Sequence, residues 1–160
     1  MQVIDGFLNT ADFNKIRDEM LSTRFPYFIS DEINYNSKPG DPEYYMLHMI
    51  YENHKPNSGA WDLIQPILNN LIDLSCLIRM KVNFYPRSEK IIEHPEHRDL
   101  DFEHKGFILY LNDNDGYTKI GDKKVESKAN RALLFNSFLP HQSTTCTNDY
   151  GRFNINMNYL

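Results

Sequence analysis

The spacing of apolar residues is helical in the first half of the chain and switches to a period of two in the second. Phe13, Ile16, Met20 and Leu21 fall on one stripe, which predicts a helix capped by Thr10 and closed before Pro26. Residues 30–58 carry no sustained period and read as an irregular excursion, with Pro39-Gly40-Asp41-Pro42 as a turn. The aromatic run Tyr44-Tyr45-Met46-Leu47 in that excursion suits either a lid over a groove or a cover for the core. A second helical stripe, Ala60, Trp61, Ile64, Ile67, Leu68, Leu71 and Ile72, is interrupted by Pro66, which predicts a kink or two short helices.

From Cys76 onward the alternation is that of a strand. Cys76, Ile78, Met80, Val82 and Phe84 share one face, and Leu77, Arg79, Lys81, Asn83 and Tyr85 share the other. Further strands are predicted over 106–111, 117–120, 124–127, 131–135, 142–146 and 153–160. Polar turns separate them at Asn112-Asp113-Asn114-Asp115-Gly116, Gly121-Asp122 and Asn148-Asp149-Tyr150-Gly151. Many short strands with regular turns predict an antiparallel sandwich or jelly roll. The expected architecture is mainly β with flanking α-helices. One domain spans residues 1–160, a helical layer at about 1–75 packs outside, and a jelly-roll core occupies about 76–160.

A chain of 160 residues is long enough to bury one core. Its formal net charge of −5 argues against bulk electrostatic binding to nucleic acid or to an anionic membrane. The cluster of Lys119, Lys123, Lys124, Lys128 and Arg131 is better read as a solvated hairpin than as a surface for an acidic partner. Two cysteines, Cys76 and Cys146, form no CxxC pair and are too few for a disulfide scaffold. No apolar run has the length of a membrane span, and the N-terminus has no signal-like pattern. The expectation is a cytoplasmic protein with reduced thiols.

The chemistry concentrates in the β half. His97 and Asp99 are two apart and project to the same side of an extended backbone. His141, arriving from a distant strand or strand end, would complete a set of two histidines and one carboxylate. Such a set occupies one face of a non-haem Fe(II) ion and leaves positions open for a co-substrate and dioxygen. Rival readings use the same stretch. His94-Pro95-Glu96 also has the spacing of a ligand pair, less favourably because of the proline and the longer carboxylate. His94 and His97, with His104 in reach, suggest zinc, although a closed zinc site needs a fuller Cys/His pattern. A solvated loop is the plain alternative for the His97-Arg98-Asp99 run taken by itself.

The last segment sorts in the same way. Phe153, Ile155, Met157 and Tyr159 form one face, and Arg152, Asn154, Asn156 and Asn158 form the other. On an edge strand the polar face would simply be wet. On an inner strand three amides and a guanidinium need partners, and a dicarboxylate would supply them. The planar fork of arginine matches a carboxylate as lysine cannot. Asn83, Tyr85 and Tyr110 are further polar positions within predicted strands, and a buried tyrosine hydroxyl takes a carboxylate as acceptor.

Taken together, these residues resemble the 2-oxoglutarate and Fe(II)-dependent oxygenases, in particular their prolyl-4-hydroxylase-like branch. The resemblance covers about 79–160 and runs through Asn83-Phe84-Tyr85-Pro86, His97-Arg98-Asp99, Leu109-Tyr110-Leu111-Asn112, Asp115-Gly116-Tyr117-Thr118, Asn130 to Phe135, His141 and Arg152. It implies a double-stranded β-helix with iron ligands at His97, Asp99 and His141. It implies that Arg152 and Tyr110 hold the remote carboxylate of 2-oxoglutarate and that Asn83, Tyr85 and Asn154 line the co-substrate pocket. The implied cofactors are Fe(II), 2-oxoglutarate and O2. The implied reaction is hydroxylation of an unactivated C–H bond with release of succinate and CO2, and fold-level analogy suggests a peptidyl prolyl residue of a peptide or protein substrate. Asn158 stands where AlkB-like nucleic-acid demethylases carry a second arginine, which with the acidic charge argues against a nucleic-acid substrate. Two other functions fit the residues: a catalytically silent jelly roll that binds carbohydrate or protein, and a zinc hydrolase built on the same triad.

Overall fold

The computed structural model of the chain describes residues 1–30 and 44–160. The turn expected at Pro39 to Pro42 lies outside the described residues. Chain order runs β1 (Gln2–Asp5), α1 (Thr10–Met20), β2 (Phe28–Ser30), β3 (Tyr45–Glu52), β4 (Lys55–Pro56), a 3-10 turn (Gly59–Trp61) and α2 (Gln65–Asn69). It continues through β5 (Leu77–Pro86), β6 (Lys105–Tyr110), β7 (Tyr117–Ile120), β8 (Lys123–Glu126), β9 (Arg131–Asn136), β10 (His141–Gln142) and β11 (Gly151–Tyr159).

The strands form two antiparallel sheets. The larger runs β1-β9-β6-β11-β5-β3-β2, with β4 added to β3, and the smaller runs β10-β7-β8. Strand β11, last in the chain, is thus an inner strand between β5 and β6. Interleaving of distant strands in two sheets is the jelly-roll arrangement.

Alternation along β11 separates the two faces of the larger sheet. Ile155, Met157 and Tyr159 join Met80, Val82, Phe107 and Leu109 in one core with Phe13, Ile16 and Met20 of α1 and Ile67 of α2. The helices therefore cover the outer face of that sheet. On the inner face, Ile108, Tyr110, Leu133 and Phe135 meet Val125 of the smaller sheet in a second, smaller cluster. The polar row of β11 also faces inward. Its register sets Arg152 opposite Tyr85, Asn154 opposite Asn83, Asn156 opposite Lys81 and Asn158 opposite Arg79.

The first half differs from the expectation of a helical layer. Strand β1 pairs with β9 at one edge, and β2, β3 and β4 extend the other. Strand β3 lacks a clean alternation because both of its faces are partly covered, and its hairpin to β4 turns on Asn53 and His54, at φ 54° and 61°, without a glycine to signal it. The cap of α1 is Asn9, whose side chain accepts from the Asp12 backbone N–H at 3.0 Å, so Thr10 is the first helical residue. Pro66 lies in the first turn of α2 and divides the second helical stretch into two short pieces, one of the two expected outcomes. Among the described residues no helix is long and apolar enough to cross a membrane.

Candidate metal centre and anion pocket

An antiparallel bridge joins the loop after β5 to β10, and a second, between Glu93 and Thr144, joins the same loop to the residues that follow. The His97 N–H donates to the His141 carbonyl at 3.0 Å, and the His141 N–H returns to the His97 carbonyl at 2.9 Å. This bridge brings two residues far apart in the chain side by side, with ring centroids 4.6 Å apart. Asp99 completes the group. One potential ligand atom from each of the three residues lies within 4.8 Å of the others. His97 Nε2 is 3.9 Å from Asp99 Oδ1, and His141 Nε2 is 3.7 Å from Asp99 Oδ2. These separations are wider than a bound cation leaves its donors, so the three side chains would draw inward to hold one.

The protonation states fit a metal. Each Nδ1–H donates to a backbone carbonyl, His97 to Pro95 at 3.2 Å and His141 to Leu139 at 3.0 Å. A carbonyl can only accept, so each ring carries a proton on Nδ1, and Nε2 is the atom it turns toward Asp99. Burial, reinforced by the neighbouring His141, lowers the His97 pKa to about 4 and keeps that ring neutral. For Asp99 burial alone would raise the pKa. His141, Arg79, Lys81 and the Ser137 hydroxyl outweigh it and hold the carboxyl well below its ordinary range.

The carboxylate is braced from three sides. Ser137 Oγ donates to Asp99 Oδ2 at 2.6 Å and Asn158 Nδ2 to the same oxygen at 2.9 Å. Arg79 Nη2 reaches Oδ1 at 3.4 Å and also donates to Asn158 Oδ1 at 2.9 Å.

Farther along the same two strands lies Arg152, which is fully buried. Its Nε donates to Ser127 Oγ and its Nη2 to Thr118 Oγ1, both at 2.7 Å. Its guanidinium carbon lies 5.4 Å from the ring centres of both Tyr85 and Tyr110. Among the described residues no carboxylate lies within ion-pair distance of it. A guanidinium out of water without a counter-ion is costly, and an incoming anion removes that cost. One cavity is lined by Arg152, Thr118, Tyr85, Asn83, Asn154, Asn156, Lys81 and the triad. It is tight, about 30 Å³, which is one water's share of liquid volume. A larger ligand therefore enters by displacing side chains that bound it.

No family model matches the sequence, and no curated protein matches it. Solved structures do match the fold. A prolyl hydroxylase from Trichoplax adhaerens, in complex with a peptide fragment of the hypoxia inducible factor oxygen degradation domain, superposes with a TM-score of 0.70 at 16% identity, over 99% of this chain and 82% of that one. A prolyl-4-hydroxylase from Pseudomonas putida gives 0.66 at 13% identity, over 99% and 91%. HygX from Streptomyces hygroscopicus, with nickel and 2-oxoglutarate bound, gives 0.61 at 14%, over 98% and 81%. The fold is that of the 2-oxoglutarate/Fe(II) oxygenases.

Within this oxygenase fold the residues singled out in the sequence separate into groups. His97, Asp99 and His141 are brought together, and Asn83, Tyr85, Asn154 and Arg152 line the cavity that leads away from them. Tyr110 stands behind Arg152 instead of on the cavity wall. Its hydroxyl donates to Thr118 Oγ1 at 2.9 Å, so it supports the guanidinium through Thr118. The rival ligands fall elsewhere. Glu96 is exposed, while His94 is buried against the Tyr85 ring with Nδ1 2.8 Å from Ser143 Oγ. His104 lines a different cavity. Three residues of the site had no local signal: Ser137 and Ser127 because lone hydroxyls are everywhere, and Arg79 because a charged residue on a strand normally faces water. Lys81 is a fourth, for the same reason as Arg79.

Proposed function

We propose that this chain is an Fe(II)- and 2-oxoglutarate-dependent dioxygenase that hydroxylates an unactivated C–H bond, with a peptide or protein as its substrate. The observation that carries the reading is the buried guanidinium of Arg152, without a carboxylate partner among the described residues, in one cavity with the His97, Asp99 and His141 donors. Two imidazoles and one carboxylate suit Fe(II) and leave its remaining positions to small ligands. Bound iron would supply the activation of dioxygen, coupled to oxidative decarboxylation of 2-oxoglutarate to succinate and CO2.

The chain's own residues do the positioning. Arg152 keeps one N–H on each of Nη1 and Nη2 beyond those given to Ser127, Thr118 and the Thr144 carbonyl, enough for a bidentate hold on a carboxylate. Asn83, Asn154 and Tyr85 flank the path between that carboxylate and the metal ligands. A peptide substrate is supported by the shared fold with the Trichoplax prolyl hydroxylase, which holds a peptide fragment.

Anaerobic titration with Fe(II) and then 2-oxoglutarate tests the reading. The expected result is a weak visible charge-transfer band, absent in His97→Ala and Asp99→Ala. Arg152→Leu should bind iron as before while losing affinity for 2-oxoglutarate by about a hundredfold, the cost of removing a charge-assisted bidentate contact. A folded, iron-loaded protein with no band, or Arg152→Leu with unchanged affinity, would overturn it. Hydrolytic activity with zinc and no 2-oxoglutarate would point to the hydrolase instead.

A further inference from the structure

The cleft holds a second cation that the mechanism above leaves unused. Lys81 lies on β5 between Arg79 and Asn83, half-buried, and lines the same cavity as Arg152 and the metal ligands. Its Nζ is 3.2 Å from Tyr45 Oη and 5.3 Å from the centre of that ring. Among the described residues no carboxylate lies within ion-pair distance of it. Arg79, one row away on the same face, is different, since Asp99 and Asn158 already engage it. One cavity therefore carries two cations without carboxylate partners among the described residues.

Their placement along the strands is ordered. Arg152 shares a row with Tyr85, and Lys81 shares a row with Asn156, next to the Arg79–Asn158 row that braces Asp99. Arg152 thus marks the end of the cavity away from the metal ligands and Lys81 the end beside them. Asn156 adds a second cue, because its Oδ1 is buried and finds no partner. Rotation of that amide would turn its NH2 toward whatever Lys81 holds.

We propose that Lys81 is a second anchor for the co-substrate. Resting on the oxygenase reading, this assigns the remote carboxylate of 2-oxoglutarate to Arg152 and the carboxylate beside the metal ligands to Lys81, with Asn156 assisting. A lone guanidinium accepts any monocarboxylate of the right length. Cations at both ends select a dicarboxylate and hold it before the metal is in place. The less tightly tied of the two cations is also at this end. Arg152 is pinned by two hydroxyls at 2.7 Å, whereas Lys81 is tied by one contact to Tyr45. Packing alone does not explain an ammonium here, since a methionine would fill the space without the desolvation cost.

Calorimetric titration of the metal-free protein, in the presence of a chelator, with glutarate and with butyrate tests the proposal. Wild type is expected to bind glutarate and to prefer it to butyrate. Lys81→Met should weaken glutarate binding by about tenfold to a hundredfold, the ordinary worth of a charge-assisted contact, and leave butyrate binding nearly unchanged. Lys81→Arg should restore part of the preference, and thermal melts of each variant report whether it is folded. Absence of metal-free glutarate binding in the wild type, or equal glutarate affinity in wild type and Lys81→Met, overturns the proposal. If Lys81→Met is unchanged while Arg152→Leu loses 2-oxoglutarate, Lys81 alone leaves the site. If Arg152→Leu also retains it, the oxygenase reading fails with it.

Discussion

Asp99 is the residue on which the charges of the cleft converge. Two imidazoles and a guanidinium approach its oxygens, and a hydroxyl and an amide both donate to Oδ2. A ligand carboxylate that rotates freely loses orientation each time a metal binds, so the groups that stop the rotation contribute to affinity without touching the ion. Ser137→Ala isolates that effect, because it removes the 2.6 Å contact to Oδ2 and little volume. The expected outcome is an affinity for Mn(II) or Fe(II) lower by about tenfold to a hundredfold, measured by competition with a chelator, in a protein whose melting temperature moves by a few degrees at most. A variant that melts far lower yet binds metal as tightly as the wild type would show that Ser137 serves packing and not the centre.

At the scale of the element, β11 determines both sides of the larger sheet. Its apolar residues lock onto the helices and its polar residues line the cleft. The start of β7 packs tightly against it. A Cβ at Gly116 would lie 2.6 Å from the Thr145 carbonyl oxygen and 2.8 Å from Arg152 Cδ. Gly116→Ala should therefore destabilise the fold by about 1–3 kcal/mol and weaken 2-oxoglutarate binding by shifting Arg152, a pairing of effects that urea denaturation and ligand titration on one sample can check. The alternation in β5 and β11 was plain in the sequence because both strands have one face in the core and one in a polar cleft, so their inward and outward sets survive as patterns. Positions set by long-range pairing were not plain. Strand β1 joins β9 from the far end of the chain, and β3 is partly covered on both faces, so neither shows a clean period. The same holds within the site. His97, Asp99, His141 and Arg152 stood out because their residue types carry chemistry. Lys81 and Arg79 read as an ordinary polar face, since only the closure of a second sheet over them makes their charges unusual.

For the whole molecule, the acidic surface and the cationic, imidazole-rich interior imply a definite response to acid. His94 and His97 are both lowered from 6.5 to about 4, in each case first by burial, then by Arg152 for His94 and by His141 for His97. A histidine whose folded pKa lies below its unfolded value binds fewer protons when folded. Its contribution to stability is therefore complete above about pH 6.5, falls as pH drops toward 4, and levels off below that. Each ring should remove on the order of 2 kcal/mol between pH 7 and 4.5, which is a large share of the stability of a domain this size. The depressed pKa of Asp99 acts in the same direction but at lower pH, because a carboxylate loses its contribution only as pH falls from its unfolded value of 3.8 toward its lower folded value. The window between 7 and 4.5 thus reports the imidazoles. Urea denaturation of the metal-free protein at the two pH values should show a marked loss for the wild type and a smaller one for His94→Gln, which has no proton to take up at that site. Saturating Mn(II) should deepen the pH dependence further, because protons then compete with the metal for His97. Equal losses in wild type and His94→Gln would mean that His94 is free to protonate in the folded state, and would contradict its burial between Tyr85 and Ser143.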